Sequence, residues 1–301
     1  MKYPGFACWL LLPCVWGASD PAAPGPFVAA QQTVHIANPN HVLLATDVYF
    51  PGSATGGVTQ AARPCPVLVL GHGFMQSKAH HANHGRHLAT RGFIVLIPDF
   101  GTKADHARNG QDLSCCLDWI SRQSADPRSL FQGTVRLDRF GAAGHSAGGL
   151  SALLAAAQDP RIRVLSLLDP VDQAGLGIKA LARCAIPTAM TWSEPSSCNA
   201  GASAATLFAA TRDVKRGVKI VGANHTDAQD PAGTLCTWVC GAAQTNRQTL
   251  YRRYLTGWFE YFLHDDHSYA PWVFDLPESP VHADLTAGRI TYSATVAPFD
   301  K

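Results

Sequence analysis

Apolar positions arrive in two rhythms along this chain. Residues 66–70 and 93–98 are unbroken apolar runs, Pro-Val-Leu-Val-Leu and Phe-Ile-Val-Leu-Ile-Pro, the pattern of strands buried on both faces of a parallel sheet. Two earlier strands, 33–37 and 42–50, are joined by the turn residues Asn38, Pro39 and Asn40, and 51–63 is a Gly-, Ser-, Thr- and Ala-rich loop. The apolar spacing then alternates. A helix is expected at 80–91 with Gly92 as its C-cap, then a helix at 111–122, a strand running into Ser146, and a helix at 147–157 that Gln158-Asp159-Pro160 ends. Beyond these come a strand at 163–168, a helix at 176–183, a strand at 187–192, a helix at 202–211 and a strand at 218–221. The last long helix, 245–264, carries Leu250, Tyr254, Trp258, Tyr261 and Phe262 along one face. Two strands followed by repeated strand-helix alternation predict an α/β fold with a mainly parallel central sheet of about eight strands, flanked by helices. Its domain is expected over 33–264, preceded by a flexible linker at 20–32. Residues 265–301 form a tail packed on the same domain, with an edge strand at 289–295. No internal repeat is visible.

One junction in this alternation carries chemistry. Gly144, Ser146 and Gly148 form a G-x-S-x-G pattern where a strand stops and a helix restarts. Such a turn holds the serine exposed on a strained backbone, and the glycines admit neighbouring main chains that a Cβ would block. A serine hydroxyl needs a base, an orienting acid and donors for an oxyanion before it acts as a nucleophile. His225 follows the strand at 218–221 through Gly222-Ala223-Asn224, which puts it on the same sheet edge as Ser146. For the acid, Asp169 stands directly after the strand at 163–168, held extended by Pro170; Glu194, one strand later, is the next choice and Asp172 the third. The loop Gly71-His72-Gly73-Phe74-Met75 follows an earlier strand, so the backbone N–H groups of Phe74 and Ala147 are the expected oxyanion donors. Gly73, Met75, His145 and Trp192 are the expected substrate-contacting residues.

Composition narrows the setting. The chain of 301 residues is 47% hydrophobic and 15% charged with a net charge of +2, enough for one large core and without the basic excess that nucleic acid binding requires. Residues 1–19 read as a signal peptide: Lys2, an apolar run from Phe6 to Trp16, then Gly17, Ala18 and Ser19. The run is too short to span a bilayer, so export to the periplasm or medium is expected without stable membrane insertion. Of nine cysteines, Cys8 and Cys14 lie in that signal and seven remain, an odd number; the nearest local pairs are Cys184 with Cys198 and Cys236 with Cys240, though spacing leaves the connectivity open. His80, His81, His84 and His87 lie at helical spacing, read as a solvated helix face in preference to a metal site, and Cys115-Cys116 as core packing. No metal or other cofactor is expected, and the protein is expected to be a monomer.

Taken together, Gly71-His72-Gly73-Phe74, Gly144-His145-Ser146-Ala147-Gly148-Gly149, Leu168-Asp169-Pro170-Val171-Asp172 and Asn224-His225-Thr226-Asp227 resemble the chlorophyllase branch of the α/β-hydrolase superfamily. The spacing is also similar to that of platelet-activating-factor acetylhydrolases and of cutinase-like polyesterases. In the first two groups the acid follows the strand after the nucleophile helix, which supports Asp169; the polyesterases place it one strand later. Ala147 stands where chlorophyllases usually carry Arg. The resemblance, over about 64–264, implies a serine carboxylester hydrolase that uses Ser146, His225 and Asp169 and acts on short-chain, lipid-like or polyester substrates. A chlorophyllase-type esterase, or a non-catalytic binding module on the same fold, is the alternative. No lid insertion is apparent between the motif strands, so an open cleft is expected.

Overall fold

Strands with apolar side chains on both faces need a helical layer on each side, and this demand organises the architecture. A computed structural model of the protein describes residues 18–212 and 214–295. Its strands are β1 (Ala29–Ala37), β2 (Leu43–Pro51), β3 (Cys65–Gly71), β4 (Ile94–Pro98), β5 (Val135–His145), β6 (Ile162–Leu168), β7 (Thr188–Trp192), β8 (Lys215–Ile220) and β9 (Ile290–Thr295). Between and after them lie α1 (Ala82–Thr90), α2 (His106–Ala125), α3 (Ala147–Ala156), α4 (Leu176–Leu181), α5 (Ser203–Ala210), α6 (Thr234–Cys240), α7 (Thr245–Leu263), α8 (Ala270–Val273) and α9 (Pro280–Thr286). The strands form a single sheet in the order β1-β2-β4-β3-β5-β6-β7-β8-β9. Pairing is parallel from β4 through β8, and antiparallel where β1, β2 and β9 extend the two ends.

Alternation along the central strands divides the core. Val67, Val69, Ile94 and Leu96 face one layer with Leu113, Leu117 and Ile120 of α2 and Leu150 and Leu153 of α3. Their neighbours Leu68, Leu70, Val95 and Ile97 face the other, with Leu88 of α1 and Tyr251, Tyr254, Leu255, Trp258 and Phe259 of α7. Because β3, β5, β6, β7 and β8 run the same way, their carboxyl ends, followed by His72, Ser146, Asp169, Ser193 and the loop to His225, open on one edge of the sheet. Ligands of open α/β sheets bind at that edge.

Several expectations are corrected. Residues 20–32 are not a flexible linker: β1 begins at Ala29 and pairs with β2 from Ala29↔Pro51, and the stretch before it is tied to two arginines. The buried Arg91 donates to the carbonyls of Asp20 and Ala23 at 2.6 Å and to the Tyr269 hydroxyl at 2.8 Å. Arg253 bonds the Asp20 carboxylate at 2.7 Å. The chain passes Thr90 so closely that a Cβ on Gly25 would stand 2.2 Å from its carbonyl oxygen. The edge strand expected at 289–295 is β9, which pairs antiparallel with β8 through Ile220↔Ile290 and brings the sheet of about eight strands to nine. His81, His84 and His87 are buried instead of solvated, since α1 packs that side against the sheet. The expected signal peptide lies outside the described residues except for Ala18 and Ser19. Among the described residues no helix is long and apolar enough to cross a membrane.

Replacing Arg91 with Ala removes its bonds to the Asp20 and Ala23 carbonyls and to the buried Tyr269 hydroxyl, so Arg91→Ala is expected to lower stability by about 3 kcal/mol, read from the urea unfolding midpoint. A change within about 0.5 kcal/mol would mean that these bonds do not hold the segment.

Candidate active site

Ser146 occupies the single residue between the end of β5 and the start of α3, with φ of 56° and ψ of −123°. A non-glycine residue held in this region is strained, and the surrounding backbone must over-determine it. Three contacts do so. The Ser146 N–H donates to the Leu168 carbonyl at 3.1 Å, and its own carbonyl accepts from Gly149 at 3.0 Å and Val171 at 3.2 Å. The flanking glycines are required by main-chain crowding. A Cβ on Gly144 would meet the Gly148 carbonyl oxygen at 2.2 Å, and one on Gly148 would meet those of Gly71 and His72 at 2.3 and 2.4 Å.

Asp169 and His225 are brought together from separate strands. The fully buried Asp169 follows β6, and its Oδ2 lies 2.7 Å from His225 Nδ1. The same oxygen accepts from Ser193 Oγ at 2.5 Å, while Oδ1 accepts from the Ser193 N–H at 3.3 Å. Asn199 Nδ2 stands 3.4 Å from both carboxylate oxygens. Asp169 is not extended before Pro170, as the sequence suggests, but has φ of 43°; this turn swings the carboxylate into the ring of donors that holds it. His225 begins a short 3-10 turn, His225–Ala228, whose first N–H groups are taken by the Asn224 side chain. With its Nδ1 hydrogen directed at a carboxylate, the imidazole keeps a lone pair on Nε2.

The other acids are engaged elsewhere. Glu194 accepts from Lys219 Nζ at 2.9 Å and from the Gly222 N–H at 3.0 Å, and the Lys219 bond in particular holds its carboxyl below the usual range. Asp172 accepts from the Gly177 N–H in α4 at 2.7 Å. Ser193 and Asn199 escaped the sequence reading, because nothing separates them from the other polar residues of a Ser-, Pro- and Asn-containing loop.

Ser146 and His225 line one cleft of about 240 Å³, with Phe74 and Met75 on the loop after β3 and Leu235 and Val239 on α6. Among the described residues, no Asp, Glu, Lys or Arg lines it. Among the described residues, the N–H groups of Phe74 and Ala147 have no hydrogen-bond partner; for Ala147 this is inherent in the first position of a helix. A neighbouring cavity of about 320 Å³ includes Phe74, Ala147, Asp99 and Lys103, so residues 73–76 border both an uncharged cleft and a charged one. His72 pins this loop. Its Nε2 accepts from the Phe100 N–H at 3.2 Å, which leaves the hydrogen on Nδ1 to donate to the Gly73 carbonyl at 2.9 Å. Burial lowers the His72 pKa and favours this neutral form.

His145 lines the cleft, but its Nε2 is committed to the His225 carbonyl at 3.1 Å. Gly73 passes so close that a Cβ there would stand 3.2 Å from His145 Nδ1 and 3.4 Å from Ser146 Cβ. Trp192, expected to contact substrate, is absent from the cleft wall: its ring packs on Phe208, with centroids 5.9 Å apart, and over the Cα of Gly217. The alternation of β7 turns it into the core beneath α5. The histidine run does not converge either. His80 accepts from the Ser77 N–H, His81 and His84 lie 3.3 Å apart through their Nδ1 atoms, and His87 bonds the Pro21 carbonyl. Among the described residues no group of three or more His, Cys, Asp or Glu is placed to hold a metal ion. Cys198 pairs with Cys240, at a Cα separation of 5.9 Å, and neither local cysteine pair forms. The reason is that α6, which carries no signal in the sequence reading, returns Cys240 to the loop after β7.

A model of a protein family described as PET hydrolase-like matches residues 16–289. The chain belongs to this family. Its nine-stranded sheet with flanking helices is the α/β-hydrolase fold. A bis(hydroxyethyl) terephthalate hydrolase of Streptomyces coelicolor is 31% identical over 124 residues, 41% of this chain and 36% of that protein. Chlorophyllase-2 of Arabidopsis thaliana is 28% identical over 120 residues, 37% of each chain. The matched stretch thus spans little more than a third of either relative.

The disulfide closes a loop of 42 residues, for which chain entropy assigns about 4 kcal/mol. The double variant Cys198→Ser, Cys240→Ser is expected to lose about that much in chemical unfolding, and reductant is expected to destabilise the parent but not the variant.

Proposed function

We propose that this protein is a serine carboxylester hydrolase acting through an acyl-enzyme. The observation that carries the reading is the 2.7 Å bond between Asp169 and His225 at a cleft that also holds Ser146. His225, its tautomer held by Asp169, takes the Ser146 proton at Nε2 as the hydroxyl attacks the ester carbonyl. The Phe74 and Ala147 N–H groups receive the oxyanion, His225 returns the proton to the leaving alcohol, and water activated by the same imidazole releases the acid. An uncharged cleft suits short-chain, lipid-like or polyester substrates, and membership of a PET hydrolase-like family supports the last of these. The Cys198–Cys240 bond supports export to an oxidising compartment, where such bonds persist.

Ser146→Ala is expected to reduce turnover of p-nitrophenyl butyrate by about 10⁴-fold or more, and a fluorophosphonate probe is expected to label the parent but not this variant. A parent chain that takes no label would point to a binding module.

Asp169→Asn is expected to lower kcat by about 10³- to 10⁴-fold, as when a triad acid loses its charge, whereas Glu194→Gln stays within about threefold. The reverse ranking would move the acid to the loop after β7.

A further inference from the structure

Helix α6 presents an apolar face that the protein core leaves uncovered. Leu235 is 56% exposed, Trp238 86% and Val239 67%, and their spacing puts them on one side of the helix. The helix is nevertheless held firmly. Cys236 is buried beneath it, its carbonyl accepting from Thr226 Oγ1 at 3.1 Å, and Cys240 is bonded to Cys198. Gln229 caps the approach by accepting from the Gly233 N–H at 2.7 Å, and Asn224 donates to the Ala242 carbonyl at 2.8 Å on the far side. A helix anchored at both ends with large apolar groups pointing outward is a surface prepared for a ligand.

Its position identifies the ligand. Leu235 and Val239 wall the cleft that contains Ser146 and His225, together with the half-exposed Phe74 and Met75, and Trp238 continues the same helix face outside the cleft lining. The anchors of α6 are the residues next to the base: Asn224 precedes His225 and Thr226 follows it. In ester cleavage the base must protonate the leaving alcohol, so the alcohol portion lies at the His225 end.

We propose that α6 is the specificity shelf for the alcohol portion of the substrate, with Leu235 and Val239 holding its first atoms and Trp238 its more distant apolar part. The inference rests on the ester hydrolase reading above. It makes the enzyme selective for esters of extended, uncharged alcohols, including internal ester bonds of a chain, over methyl esters.

Two ester series separate this role from general apolar binding. Acetates of methanol, butanol and decanol vary the alcohol, and methyl acetate, butyrate and decanoate vary the acyl group. Trp238→Ala is expected to lower the ratio of kcat/KM for decyl over methyl acetate by about tenfold, mainly through KM. The ratio for methyl decanoate over methyl acetate should change less than twofold, and Trp238→Phe should restore most of the decyl preference. Because Trp238 is 86% exposed, the substitution leaves the core untouched, and matched unfolding curves check this. An unchanged decyl ratio, or a loss that follows acyl length instead, overturns the shelf assignment while leaving the hydrolase intact. A parent chain inactive on both series and unlabelled by fluorophosphonate overturns the underlying reading as well.

Discussion

The approach of α3 to the end of β3 is the constraint on which the rest of the site depends. Gly148 comes so near the Gly71 and His72 carbonyls that no side chain fits between them. This contact locks the turn at Ser146 to the loop at Gly73 and Phe74, so the hydroxyl and the two free N–H groups belong to one rigid unit. Hydrogen bonds reinforce it from both sides: His72 spans Phe100 and Gly73, and Ser146 is tied to Leu168 and Val171. Strain at φ of 56° survives because the sheet beneath cannot relax it.

Much of this was legible in residue order. Continuous apolar runs located β3 and β4, and the abrupt change of period at Ser146 located the elbow, because strand and helix bury side chains at different spacing. Asp169, Glu194 and His225 could be named because a carboxylate or imidazole just after a buried strand has few structural uses. What stayed hidden depends on contacts remote in sequence. Ser193 and Asn199 matter only because the turn at Asp169 points its carboxylate at them. Trp192 looked like a substrate contact from its address at the end of β7, but strand alternation decides its direction. The segment at 20–27 reads as linker by composition, and only the distant Arg91 and Arg253 make it part of the fold. Cysteine pairing belongs to the same class, since Cys198 and Cys240 meet only after α6 has folded.

Electrostatics around the centre are economical. The buried Asp169 carboxyl group is ringed by hydrogen-bond donors from Ser193, Asn199 and His225, and among the described residues no lysine or arginine pairs with it. Lys219 is occupied by Glu194 on the loop after β7.

The two faces of α6 have separate responsibilities. Its inner residues Cys236 and Cys240 are joined to the loops that carry His225 and Asn199, while Leu235, Trp238 and Val239 extend away from them. Exchange of the outer three therefore alters what the surface meets without reaching the hydrogen bonds that orient the imidazole. A substitution on the outer face of α6 and the geometry at His225 are thus separable.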